Sequence, residues 1–204
     1  MIAIVDYGVG NLFSLNSSFA MIGKEAIVTS DPAVIANSEK VILPGVGAFG
    51  DARERLNATG LDKTVISVAK SGKPLLGICL GMQLLFDKSL EYGVHEGLGL
   101  IKGEVRPISE TVPSGLKIPH MGWNALDFVG QSPIFKYIKN GDAVYFVHSF
   151  SALGCTESVI ATAEYGVPLT AAVASGNVFG CQFHPEKSGN VGLEILRAFC
   201  DLEV

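Results

Sequence analysis

Pro74-Leu75-Leu76-Gly77-Ile78-Cys79-Leu80-Gly81-Met82-Gln83 is the stretch on which the reading of this chain turns. Leu75 to Ile78 is a short, wholly apolar run, as expected of a strand buried on both faces. Met82 to Phe86 opens a helix. Between them stands Gly-x-Cys-x-Gly, a nucleophile-elbow pattern with cysteine in place of serine. A tight strand-to-helix turn crowds the residues two before and two after its apex, and Gly77 and Gly81 relieve that crowding. Cys79 then heads a helix, where the positive dipole end favours a thiolate. The N–H of Leu80 points where an oxyanion would form. A buried structural cysteine is the plainer alternative, and the paired glycines at a strand-to-helix turn favour the nucleophile.

Outward from the elbow, the first half of the chain alternates strand and helix. Ile2–Val5, Glu25–Thr29 and Val41–Leu43 read as strands. Asn11–Ile22, stopped by Gly23, reads as a helix, as do Asp51–Ala58 and Leu61–Ala69, closed by Gly72. Residues 98–130 carry Gly, Pro and β-formers with little helical pattern. Ala143–His148, Val159–Ala163, Thr170–Ala174 and Val178–Gln182 read as strands, the last three joined by short turns such as Ser175-Gly176-Asn177. A helix over Gly192–Cys200 follows. The expectation is an α/β fold in three layers: a mostly parallel sheet flanked by helices, with an antiparallel extension, forming one domain over residues 1–204.

The 204 residues are 48% hydrophobic and 17% charged, enough apolar material for a sizeable core. The net charge of −5 has the wrong sign for nucleic acid. No apolar run approaches the roughly 18 residues of a membrane span. MIAIVDYGVGN has no basic leader, so a cytoplasmic protein is expected. Cys79, Cys155, Cys181 and Cys200 are too widely spaced for a zinc site or a disulfide framework, and neither metal nor cofactor is expected. Cys155, Cys181 and Cys200 read as structural.

A thiol nucleophile needs a base, and the base needs a group that holds it. Of His95, His120, His148 and His184, only His184 precedes Pro185 and Glu186. Pro185 biases His184 towards extended backbone, and in an extended segment residues i and i+2 project to one side. Glu186 can then orient the imidazole. An isolated His-Pro-Glu would be read as a solvated turn, and the elbow at Cys79 favours catalysis. His95 is expected at the surface, with His120 and His148 structural. After the third strand, Pro44-Gly45-Val46-Gly47 can turn backbone N–H groups to a ligand and supply a second oxyanion donor. The Gly-Lys-Ser/Thr of a phosphate loop is missing, and ordinary turn chemistry is the alternative.

Cys79, with His184-Pro185-Glu186 following 105 residues later, resembles the triad, or class I, glutamine amidotransferases, whose fold is flavodoxin-like. Asp6-Tyr7-Gly8-Val9-Gly10-Asn11, Pro44 to Asp51, Gly97 to Leu100, His120-Met121-Gly122-Trp123-Asn124 and Tyr145 to Phe150 carry the likeness over nearly the whole chain. They make it most similar to the glutaminase subunits of imidazole glycerol phosphate synthases. That resemblance implies a γ-glutamyl thioester on Cys79, with His184 and Glu186 completing the triad. It implies an oxyanion hole from Gly45, Val46, Gly47 and Leu80, formed only once the ammonia acceptor is bound. Gln83 and Glu91 match positions at the α-amino and α-carboxylate end of glutamine, although Ser89-Leu90-Glu91 departs from the usual Ser-Glu-Glu. His148, Ser149 and Phe150 match the strand end beside the substrate. Asn11, Trp123, Tyr145 and Lys187 match the face towards the synthase. The implied partner is a separate (β/α)8-barrel cyclase forming a heterodimer, within histidine biosynthesis. Three alternatives stand beside this: a paralogous amidotransferase feeding another synthase, a cysteine peptidase or chaperone-like relative, and a regulatory module without chemistry.

Overall fold

The computed structural model describes residues 1–203. Its first half runs β1 (Ile2–Val5), α1 (Leu12–Met21), β2 (Ala26–Thr29), α2 (Pro32–Asn37), β3 (Lys40–Leu43), α3 (Phe49–Ala58), α4 (Leu61–Lys70), β4 (Leu75–Ile78) and α5 (Leu80–Leu84). Next come the short strands β5 (Lys88–Ser89), β6 (His95–Glu96), β7 (Glu104–Pro107), β8 (His120–Ala125) and β9 (Asp127–Phe128). The chain continues through β10 (Ala143–His148), β11 (Phe150–Leu153), β12 (Val159–Glu164), β13 (Pro168–Ser175) and β14 (Val178–Cys181) to α6 (Gly189–Cys200).

The main sheet has the order β2-β1-β3-β4-β14-β13-β12-β9. Its first five strands are parallel and the rest antiparallel. The parallel part is therefore the flavodoxin-like order that the family resemblance implies; β14, expected in the antiparallel extension, takes the fifth place, parallel to β4 and antiparallel to β13. Alternate residues feed two cores. Ala3, Val5, Val41, Leu43 and Leu75 pack with Leu56 of α3 and Val65 of α4. Ile2, Ile4, Ile42 and Leu76 pack with Phe19 of α1 and Phe199 of α6. Burial on both faces explains why these strands are continuous apolar runs. Among the described residues no helix is long and apolar enough to cross a membrane.

Several boundaries differ from the sequence reading. Helix α2 was not foreseen; Asp31 caps it by accepting the Ala33 N–H at 2.8 Å, with Pro32 in the first turn. Helix α5 begins at Leu80 and ends at Leu84, so it is shorter and earlier than expected. Strand β11 was also unforeseen and pairs with β7 in a second, four-stranded sheet, order β11-β7-β5-β6. Strands β8 and β10 form a separate two-stranded ribbon.

Candidate active site

Cys79 sits where β4 ends and α5 begins, in the left-handed half of backbone space at φ 53° and ψ −110°. Such a conformation in a non-glycine residue is strained and persists only where its surroundings enforce it. They do so here from three sides. The Cys79 N–H donates to the Cys181 carbonyl at 2.7 Å. A Cβ on Gly77 would lie 2.7 Å from the Gly81 carbonyl oxygen, and a Cβ on Gly81 would overlap the Leu43 carbonyl oxygen. Both glycines are thus steric necessities of the turn.

The parallel register Cys181↔Ile78 brings the end of β14 level with the elbow, and His184 follows three residues on. Its backbone is extended, at φ −100° and ψ 99°, but Pro185–Lys187 forms a 3₁₀ turn. The expected side-by-side arrangement along an extended strand is therefore corrected: a tight turn, not strand alternation, folds Glu186 back on the ring. Glu186 Oε1 accepts from His184 Nδ1 at 2.8 Å, with the two side chains 1% and 2% exposed. Strand β10 anchors the turn. His184 N–H donates to the Tyr145 carbonyl at 3.0 Å. Ser188 Oγ donates to the His184 carbonyl at 2.6 Å and accepts the Tyr145 N–H at 2.9 Å.

Burial works against a charge on His184, but Cys79 and Glu186, as negatively charged acceptors for its N–H groups, outweigh it and raise the imidazole to about 9. Cys79, 8% exposed, lines a cavity of about 360 Å³ together with His184, Leu80, Gln83, Glu91 and Lys187. Val46, Gly47, His148, Ser149 and Phe150 complete the foreseen part of its wall, and Glu186 stands behind the ring. A larger cavity of about 630 Å³, around Arg53 and His95, shares only Glu91 and Tyr92 with it and contains none of the triad. The smaller one, which holds Cys79 and His184, is the candidate site.

Glu91 accepts the Phe49 N–H at 2.7 Å and so caps α3 from outside the helix; burial raises its carboxyl against that hydrogen bond. Gln83 spends both amide hydrogens on the protein, donating to the Phe150 carbonyl at 3.2 Å and to Gln182 Oε1 at 3.0 Å. Its oxygen is left to accept from a ligand. The Leu80 N–H, foreseen as an oxyanion donor, donates to the Gly45 carbonyl at 3.3 Å. In a trans peptide C=O and N–H point in opposite directions, so the Val46 N–H faces away from Leu80. The loop's entry is held by Tyr7, whose hydroxyl donates to the Pro44 carbonyl at 2.7 Å.

His148 and His120 form a neutral pair. The Phe150 carbonyl only accepts, so His148 Nδ1 donates to it at 2.8 Å. His148 Nε2 then accepts from His120 Nδ1 at 2.9 Å, and Asn124 Nδ2 donates to His120 Nε2 at 3.2 Å. Desolvation lowers both rings, His148 to about 4. His95, expected at the surface, is half-buried against Phe49 and Gly50.

Trp123 and Tyr145 meet edge to face at 6.2 Å, and Lys187 Nζ lies 6.0 Å from the Tyr145 ring centroid. Three of the four foreseen interface residues thus cluster beside the cavity, with Trp123 58% exposed. Asn11 heads α1, two residues after Val9 and next to Gly10, which abuts Pro44. Sequence reasoning missed Tyr7 and Gln182. The signal for Gln182 was a lone polar side chain in the apolar run Val178–Phe183; nothing local marked Tyr7. Among the described residues no group of three or more His, Cys, Asp or Glu could hold a metal ion.

A cysteine elbow and a His-Glu turn at the carboxyl edge of a flavodoxin-ordered sheet define a class-I glutamine amidotransferase, and the family model described as glutamine amidotransferase class-I matches residues 3–201. Two curated relatives are both imidazole glycerol phosphate synthase subunit HisH. That of Wolinella succinogenes is 48% identical, covering 99% of this chain and 100% of its own. That of Caldanaerobacter subterraneus subsp. tengcongensis is 50% identical, covering 99% and 98%. The chain belongs to the class-I glutamine amidotransferase family and, within it, to these HisH subunits. Among solved structures, PurLQS from Thermotoga maritima shares the fold, with a TM-score of 0.74 at 23% identity over 98% of this chain and 97% of the other.

Proposed function

We propose that this chain is the glutaminase subunit of an imidazole glycerol phosphate synthase, and that it hydrolyses glutamine to glutamate and ammonia through Cys79, His184 and Glu186. The observation that carries the reading is an imidazole that shares a cavity wall with Cys79 and is held from its other side by Glu186 Oε1 at 2.8 Å.

The charges order the steps. Cys79, as thiolate beside a protonated His184, attacks the side-chain amide carbon of glutamine. The C–N bond breaks, and the departing nitrogen takes the proton of His184, leaving as ammonia. Sulfur in the thioester carries no charge, so the main support for the imidazolium is gone and burial favours neutral imidazole. His184 is then able to take a proton from water, and the hydroxide displaces the Cys79 thiolate to give glutamate, restoring the thiolate–imidazolium pair. Glu186 holds the ring throughout. Gln83 Oε1 and Glu91 receive the α-amino end of glutamine.

Rotation of the Gly45–Val46 peptide would withdraw the carbonyl from Leu80 and swing in the Val46 N–H, providing two oxyanion donors. The flanking glycines carry that change; Gly47 already has φ +96°. Glutaminase activity is accordingly weak alone and rises when an acceptor enzyme is loaded with its ligand. Free ammonia in water at neutral pH becomes mostly ammonium, so release must occur into a shielded passage. The receiver is a separate (β/α)8-barrel cyclase, docked on the face of Asn11, Trp123, Tyr145 and Lys187. It uses ammonia to form imidazole glycerol phosphate and an aminoimidazole carboxamide ribonucleotide in histidine biosynthesis.

The test is co-purification with a candidate cyclase, followed by synthesis from glutamine and from ammonia. Cys79→Ala is expected to abolish the first and spare the second. Loss of both would give Cys79 a role in the fold or interface, and failure of the cyclase to bind would point to a different synthase.

A further inference from the structure

Gln182 takes no part in the mechanism above, yet its side chain is fully buried beside the nucleophile. An amide in an apolar wall is costly unless its polar atoms are paired. Here the pairing has a direction that can be read without knowing which end of either amide is nitrogen. The Phe150 carbonyl can only accept, so the Gln83 atom 3.2 Å from it is the nitrogen. That nitrogen's second hydrogen points to Gln182 at 3.0 Å, so the Gln182 atom facing it is the oxygen. The remaining end of Gln182 is therefore its NH₂, and it faces Cys79 Sγ at 3.8 Å. A backbone carbonyl thus sets the polarity of two amides in series and aims a donor at the sulfur.

We infer that Gln182 is a positioning residue for the nucleophile: held by Gln83, its amide fixes the direction of Cys79 Sγ and favours thiolate over thiol. An N–H donor there favours a charged sulfur, a strong acceptor, over a thiol sulfur, a weak one. The contact is strongest in the attacking state and weakens once the thioester forms. This rests on the reading of Cys79 as a thiolate nucleophile.

The test uses the complex with the cyclase and follows alkylation of the Cys79 peptide by iodoacetamide across pH, by mass spectrometry. Gln182→Met keeps the volume and removes the donor, and Gln182→Glu places an acceptor against the sulfur. The alkylation midpoint is expected to rise by about half a unit to one unit in Gln182→Met and further in Gln182→Glu. At neutral pH kcat should fall about threefold to tenfold while KM for glutamine stays within about twofold. A packing role would not rank Glu beyond Met. Gln83→Leu leaves Gln182 in place and removes its lock together with the Oε1 that receives glutamine, so it is read by alkylation alone; a smaller shift in the same direction is expected, and this variant carries the test should the buried ones not fold. Midpoints within about 0.2 unit of the parent in every folded variant would overturn the inference. If Cys79→Ala retained glutamine-dependent synthesis, the reading of the site itself would fall instead.

Discussion

Replacing Glu186 with Gln removes the charge facing His184 while keeping the side chain's length. Both partners are almost fully buried, so water neither screens the pair nor replaces the lost contact. Burial, the largest influence on the ring, favours neutral imidazole; Cys79 and Glu186 together overcome it and raise His184 to about 9. In the variant only Cys79 opposes burial. A hydrogen bond between charged groups contributes about 1.5–3 kcal/mol, equivalent to about one to two pH units on His184. If the thiolate–imidazolium pair is the reactive form, the rate above pH 9 falls about 10- to 150-fold, while near pH 7 the protonated fraction changes about twofold at most. Gln can still accept the Nδ1 hydrogen through its Oε1, so the tautomer is kept and the loss reports charge. The assay is glutamine-dependent synthesis by the complex from pH 6 to 10, with ammonia-dependent synthesis as control. The alkaline limb should move down by about one to two units. Stability gives an independent reading. The folded pKa of His184 lies above its unfolded value of 6.5, so its contribution is full below pH 6.5 and is lost as pH rises through about 9. The unfolding free energy of the variant should be flatter across that window. A kcat above pH 9 within twofold of the parent, with an unmoved alkaline limb, would refute the reasoning.

Three further outcomes follow from the same geometry. Gly81→Ala places a methyl on the Leu43 carbonyl oxygen and should destabilise the fold by about 3 kcal/mol or more in urea unfolding; a loss under about 1 kcal/mol would contradict the tight elbow. Gly47→Ala meets no neighbour within 4 Å, so its effect is confined to the positive φ. It should cost about 1 kcal/mol of stability and lower cyclase-stimulated glutaminase more than basal glutaminase, measured side by side. On acidification, the unfolded chain protonates His148 below pH 6.5 while the folded ring resists until about 4. Stability should therefore fall from pH 6.5 to 4 by up to about 1.4 kcal/mol per unit, and His148→Gln should flatten that slope in denaturant titrations.

What the sequence made legible was whatever depends on local pattern. Strands β1, β3, β4 and β14 are apolar runs because both their faces are covered, and that burial is written in composition. The elbow was legible because Gly77 and Gly81 have a steric duty that no other residue can perform. Helix α2 carried a readable start in Asp31-Pro32 but is only six residues long, too short for periodicity to register. Strand β11 was hidden because Phe150–Leu153 pairs with Glu104–Pro107, far away in the chain. The same limit applies within the site. His184 and Glu186 were paired correctly, although by a 3₁₀ turn in place of an extended segment. The capture of the Leu80 N–H by Gly45, the hold of Tyr7 on Pro44 and the directed amides of Gln83 and Gln182 all join distant segments. They depend on the register of β3, β4 and β14, which no local pattern encodes.

The central claim is that Cys79 is the atom on which glutamine is opened. The most direct measurement is to treat the chain, in complex with the cyclase, with a chloroketone analogue of glutamine and to locate the adduct by peptide mass spectrometry. The account predicts one label per chain, on Cys79, blocked by glutamine and absent in Cys79→Ala. Label on Cys155, Cys181 or Cys200 in place of Cys79, or no label while glutamine-dependent synthesis proceeds, would contradict it.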